Sequence, residues 1–438
     1  MRNAVLLVAM LIITVTTVFG GLEGLFIPGP DHPAIEYATL PAKDPVSELN
    51  RKIQEGKVQL KFDDHQGYLR SVLEALDVPI ESQLVVFSKT SLQMNRINPS
   101  NPRTLFFNDS VAIGWVRGGG IVELAAEDPQ QGVIFYTVDQ KPADKPVFVR
   151  RDDCLNCHES YSSLGVPGML VRSVFPASDG TPMRQFDEYI TDHRSPFEQR
   201  WGGWYVTGKH GSVRHMGNAI VADPEKSESL RINQALDLES LTGKFDTDAY
   251  LSPYSDIVAL MVFEHQMHMV NLFTRVGWEI RFAQYQERIE RKPTDKALRD
   301  SHNATVRLLS ETARELVDYL LFVDEAPLVD KIRGTSGFTE KFSTRGPRDA
   351  KGRSLRQLDL ERRLMRYPCS YMIYSDAFDG LPVEAKDAIY KRMWQILSGE
   401  ERDGKYARFS HADREATVEI LRGTKKGLPK NFEGPVTR

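Results

Sequence analysis

Residues 154 to 158 read Cys-Leu-Asn-Cys-His. No other feature constrains this chain as strongly. Two thiols separated by two residues are spaced to add across the two vinyl groups of one porphyrin. The histidine directly after the second thiol is then held under the iron as an axial ligand. With three cysteines and ten histidines in 438 residues, the pattern arises by chance on the order of once in 2,000 such chains. The expectation is one covalently attached haem c, with Cys154 and Cys157 as thioethers and His158 on the iron.

The N-terminus agrees with this. Met1-Arg2-Asn3 is a short basic start, and Ala4 to Phe19 carries no charge. Small residues at Val18 and Gly20 suit a signal peptidase. The run is slightly short for a membrane span, so residues 1–20 read as a signal peptide or an uncleaved N-terminal anchor. Haem is attached to this pattern outside the bacterial cytoplasmic membrane, so the expected location is the periplasm. The only membrane contact expected is through that anchor. A net charge of −4 is too mild and mixed for a nucleic-acid or anionic-membrane binder.

Periodicity divides the rest. Residues 21–82 read as a Pro/Gly-rich linker (22–43) followed by short helices at 44–57 and 66–77. Residues 83–245 form a β-rich haem-binding region. Apolar runs at Leu84–Phe87, Val111–Val116, Ile121–Ala125 and Val133–Val138 are separated by turn residues, the spacing of an antiparallel meander. Residues 246–438 read as helical. Asp256–Glu290 and Lys296–Phe322 form a hairpin around Pro293, with shorter helices at Leu355–Arg366, Val383–Leu397 and Ala412–Arg422 and a mobile loop at 330–354. The fold class is therefore α+β, an antiparallel β-rich haem-carrying part followed by a mainly helical C-terminal part.

Two other readings of the cysteine pair are a zinc half-site and a disulfide. Zinc needs a second ligand pair, and no other Cys-rich or His-x-x-x-His cluster exists. A disulfide leaves His158 without a reason. The third cysteine, Cys369, reads as a buried free thiol.

The sixth iron position decides what the haem does. A methionine or histidine there suits electron transfer, and an open position permits small-ligand chemistry. Met216, in His215-Met216-Gly217-Asn218, is the first candidate, followed by His215 and His210; Met169, Met183 and His193 also compete. The segment 193–218, with Arg200-Trp201-Gly202-Gly203-Trp204-Tyr205, reads either as a cover for the porphyrin edge and propionates or as a structural turn. A second constellation, Glu264-His265-Gln266-Met267-His268, lies on the long helix among apolar neighbours, with Glu311 and Glu315 on the next helix as possible partners. It reads as a hydrogen-bonded network, a metal site or an acid–base pair.

Cys154 to His158 resembles the attachment motif of the c-type cytochromes. More loosely, Trp201 to Gly208 and Arg366-Tyr367-Pro368-Cys369-Ser370-Tyr371 resemble segments of a family of large, exported, single-haem bacterial proteins without an assigned activity. The resemblance implies an exported monohaem cytochrome that passes single electrons to redox partner proteins. The alternatives are a peroxidase-like oxidoreductase with an open distal site, and a haem-bearing subunit or sensor of a membrane complex. Whether the chain is an enzyme is left open by the sequence.

Overall fold

The computed structural model describes residues 29–221, 225, 237–289 and 295–437. The signal or anchor segment lies outside the described residues, as does the turn at Pro293.

A seven-stranded antiparallel sheet forms the centre. Its strands are β1 (Leu84–Val86), β2 (Arg103–Phe107), β3 (Val111–Val116), β4 (Ile121–Asp128), β5 (Gly132–Asp139), β6 (Val149–Arg150) and β9 (Trp204–Tyr205). They are ordered β6-β5-β4-β3-β2-β1-β9, so β6 and β9 are the two edges. A separate two-stranded ribbon pairs β7 (Val171–Ser173) with β8 (Tyr189–Thr191). The expected meander is present. The sequence reading missed β2, Arg-Thr-Leu-Phe-Phe, in which only the last three residues are apolar.

Both faces of the sheet are buried, which explains why its strands read as continuous apolar runs. Alternate residues point to opposite faces. Ile113, Leu124, Ile134 and Tyr136 pack against the N-terminal helices α1 (Pro45–Gln54) and α2 (Leu69–Ala75). Leu105, Ala112, Ala125 and Phe135 pack against the C-terminal helical layer. Helix α1 starts where Asp44 accepts hydrogen bonds from the N–H groups of Val46 and Ser47, with Pro45 at its first position.

The motif itself forms a one-turn helix α3 (Leu155–His158) just after β6. The helical layer is built on α4 (Ile257–Ile289), hairpinned with α5 (Asp295–Leu320). Residues Ile257 to Met267 of α4 are all buried, charged and polar side chains included. Its first half is therefore enclosed on every side rather than amphipathic. Asp256 caps α4 through Oδ1 to Val258 N–H at 2.8 Å, and its Oδ2 accepts from Thr335 and Ser336 N–H. Helices α6 (Phe338–Thr344), α7 (Asp376–Asp379), α8 (Val383–Ser398) and α9 (His411–Thr424) complete the layer. Among the described residues, no helix is long and apolar enough to cross a membrane.

Three segments differ from their sequence readings. The described part of the expected linker is packed down: Ile35 and Tyr37 are buried, and the Tyr37 hydroxyl donates to the Val133 carbonyl at 2.8 Å. The expected mobile loop 330–354 holds α6 and is pinned by Asp256. Residues 355–366 are not helical. Asp359 accepts from the N–H groups of Glu361 and Arg362, an Asx turn that competes with the helix, and Leu360 takes φ +61°.

Candidate haem-attachment site

His158 is oriented by its own loop. Its Nδ1 lies 2.9 Å from the Gly168 carbonyl oxygen, and the Gly168 N–H donates back to the His158 carbonyl at 2.9 Å. A carbonyl only accepts, so Nδ1 carries the proton and Nε2 carries the lone pair. Burial keeps the imidazole below its usual range and hence neutral at pH 7. This is the tautomer an iron-ligating histidine needs, with its second nitrogen fixed by a backbone acceptor. The ring packs on Phe135, 4.6 Å between centroids.

The loop is held in turn from two directions. Val133 of β5 donates to the Pro167 carbonyl at 3.1 Å. Asn271 of α4 grips Met169 on both backbone groups, accepting its N–H at 3.1 Å and donating to its carbonyl at 2.7 Å. Any Cβ at Gly168 would strike the Asn271 side chain, which explains the glycine. Asn271 was not legible as a site residue because it is 113 positions from His158 and belongs to no motif. We expect Asn271→Ala to leave two buried backbone groups unpaired and cost about 1–3 kcal/mol. With haem attached, a weaker Nδ1–H···O bond makes His158 a poorer donor to iron and raises the reduction potential. Chemical denaturation and a redox titration check both effects, and an unmoved potential would separate Asn271 from the haem ligand.

The two thiols are both free. Cys157 is exposed, and Cys154 is partly buried against the core, where burial pushes its thiol up to about 11. Among the described residues, no cluster of three or more His, Cys, Asp or Glu side chains is arranged to hold a metal ion.

Of the candidate sixth ligands, Met216, His210 and His215 lie in other segments, whereas Met169 directly follows Gly168 in the loop that orients His158. Met216 is buried beside β9, with its N–H on the Arg200 carbonyl and its sulfur 3.6 Å from the Ser173 hydroxyl. It packs with Ala219, Val221, Met183 and Phe186. His210 and His215 follow β9, whereas the motif follows β6, and six spacings of about 4.8 Å separate these edges of the sheet. The two imidazoles lie 4.6 Å apart, buried. Met169 is buried in the main core.

The second constellation is a buried polar network in which His193 Nε2 has no hydrogen-bond partner. Glu264 is fully buried, 3.2 Å from the Arg200 guanidinium, and accepts the Thr191 hydroxyl at 2.6 Å. His265 Nδ1 lies 2.7 Å from His193 Nδ1, and its Nε2 lies 2.6 Å from the Ser370 hydroxyl. Both rings stack on Tyr319. Arg194 donates to His268 Nε2 at 3.0 Å and forks onto Asp192. Arg200 and Trp201 are thus committed to the protein core and not to a porphyrin edge. Glu315 turns to Arg275 at 3.6 Å, and Glu311 is exposed, so neither faces Glu264. Asp192, Ser370 and Tyr319 complete the network, and only tertiary structure brings them there. Cys369 is buried and its thiol is pushed well above the usual range by burial.

No protein-family model, curated protein or solved structure matches the chain.

Proposed function

We propose that this chain binds one haem c covalently and serves as a one-electron carrier of the periplasm. The observation that carries the reading is the His158–Gly168 pair. The chain spends two reciprocal hydrogen bonds, a glycine and a clamp from a distant helix on orienting one imidazole whose Nε2 lone pair is left for a ligand. A core-packing histidine needs none of this. Two free thiols on the adjoining turn match the same purpose. Cys154 and Cys157 would hold the group, and His158 would be its axial base. When bound, the haem supplies an iron that cycles between ferric and ferrous states.

The test is the visible spectrum of protein matured with cytochrome c assembly machinery, reduced, with and without carbon monoxide. The carrier reading requires a sharp low-spin α band that carbon monoxide leaves unchanged, with the sixth ligand supplied by a residue other than Met216. A high-spin spectrum that shifts with the gas would replace the carrier by an open-site oxidoreductase or sensor. In the same experiment Met216→Ala should keep the α band, since its sulfur is engaged with Ser173 in a separate apolar cluster. Loss of the band with a lowered potential would make Met216 the sixth ligand.

A further inference from the structure

The turn between β2 and β3 and the segment after α6 together line a small cleft. Asn108, Asp109 and Ser110 come from the turn, and Arg345, Gly346 and Arg356 from the segment. The cleft holds about 180 Å³. It adjoins a recess of about 20 Å³ lined by Phe107, Phe338 and Phe342, where Lys341 joins the lining. Three cations and a single carboxylate, Asp109, therefore border the space. Arg356 is only 4% exposed, yet it lines the cleft. Its guanidinium carbon lies 4.6 Å from the centre of the Phe342 ring and 4.4 Å from that of Tyr371, so two aromatic faces fix the fork. Gly346, at φ +79°, makes room for it: a Cβ there would lie 3.0 Å from Arg356 Cδ and Nε. Arg356 pairs through Nη2 with Asp109, and Arg345 through Nη2 with Asp77. Both carboxylates face water, Asp109 at 47% and Asp77 at 89% side-chain exposure. Ion pairs whose carboxylate is open to water are screened and contribute little. They are replaceable partners of two arginines aimed at one space.

We infer that this cleft binds a compact oxyanion of two charges, inorganic phosphate or a short dicarboxylate, with Arg345 and Arg356 as its grips and Lys341 adding positive charge. The shared chemistry is a pair of acceptor oxygens that a guanidinium fork takes side by side. Asp109 competes with such an anion for Arg356. The volume sets the size of the ligand. Sites for drug-sized molecules start at about 300 Å³, and the adjoining recess has room for about one water. None of these residues belongs to the haem-attachment motif or to the support of His158, so the inference does not depend on the haem reading.

Isothermal titration of the wild-type protein at low ionic strength, with inorganic phosphate and separately with malonate, tests this. One-site saturable binding of at least one of them at millimolar concentration is expected, and the tighter of the two identifies the ligand class. Two variants should move the affinity in opposite directions. Arg345→Gln is expected to weaken binding by about tenfold or more, the loss of a charge-assisted hydrogen bond. Asp109→Asn is expected to tighten it several-fold, because it frees Arg356 Nη2 and removes a like charge. A purely structural role for the Arg356–Asp109 pair would give no tightening. Arg362→Gln, at an exposed arginine paired with Asp359 outside the cleft, should leave the affinity unchanged. A second measurement needs no variant to fold. Phenylglyoxal modification of the wild-type protein, read by peptide mass spectrometry, should slow several-fold at Arg345 when the tighter anion is present, and not at Arg362. Absence of saturable binding by either anion would overturn the inference. So would equal affinities in Arg345→Gln and Arg362→Gln, weaker binding in Asp109→Asn, or equal slowing at the two arginines.

Discussion

Replacing Arg200 by methionine is expected to destabilise the fold by about 3–5 kcal/mol at pH 8, the cost of stranding a buried charge. Arg200 and Glu264 are both essentially inaccessible to water. The guanidinium also donates to the carbonyls of His193 and Ser195, so it closes the 193–200 loop as well as neutralising the carboxylate. Burial raises Glu264 to about 7, and Arg200 opposes that rise. Without Arg200 the carboxyl moves higher still. A carboxyl whose folded pKa lies above its unfolded one binds more protons when folded, so its contribution to stability falls as pH rises through that window. The Arg200→Met penalty should therefore shrink from pH 8 to pH 5, where Glu264 becomes protonated and neutral. The buried histidines His193, His265 and His268, held neutral by burial, destabilise in acid; His265 and His268 do so alike in both proteins, whereas His193 is also lowered by Arg200, so its release in the variant adds to the shrinkage in acid. Urea unfolding of the two proteins at pH 5 and pH 8 measures this. A penalty independent of pH would mean that Glu264 stays protonated in the native protein throughout.

That network also shows where sequence reading ends. Glu264, His265 and His268 stand out in an apolar helix because buried polar groups must find partners, and that argument holds for any fold. Which partners they find depends on β8, the 192–200 loop and the turn at Ser370, brought together only by tertiary contacts. The meander was legible for a similar reason. Short apolar runs bounded by turn residues are local signals, so β3, β4 and β5 fall where the sequence puts them. The helix expected over 355–366 failed because a single side chain, Asp359, offered its backbone neighbours a better acceptor than the next helical turn. The linker failed because proline-rich composition says how stiff a segment is, not whether Tyr37 can dock on β5. At the candidate haem-attachment site, the motif was legible and the support of His158 was not: Gly168 and Asn271 carry no pattern.

Cys157→Ala is expected to change the haem chemistry while leaving the polypeptide almost untouched. Cys157 is exposed, and exposed substitutions generally move stability by no more than about 0.5 kcal/mol. The variant should therefore fold, which makes a change in haem attachment interpretable. With Cys154 alone, one vinyl group stays conjugated, and the α band of the denatured pyridine adduct moves to longer wavelength. Cys154→Ala should do the same, with an added cost in stability because that side chain is packed against the core. The double variant should release its haem on denaturation. Cys369→Ala should leave both thioethers intact, because that thiol is buried away from the motif in the helical core. The decisive comparison is between Cys157→Ala and Cys369→Ala under denaturing conditions. A wild-type spectrum in the first, or a lost thioether in the second, would overturn the assignment of Cys154 and Cys157 as the attachment pair.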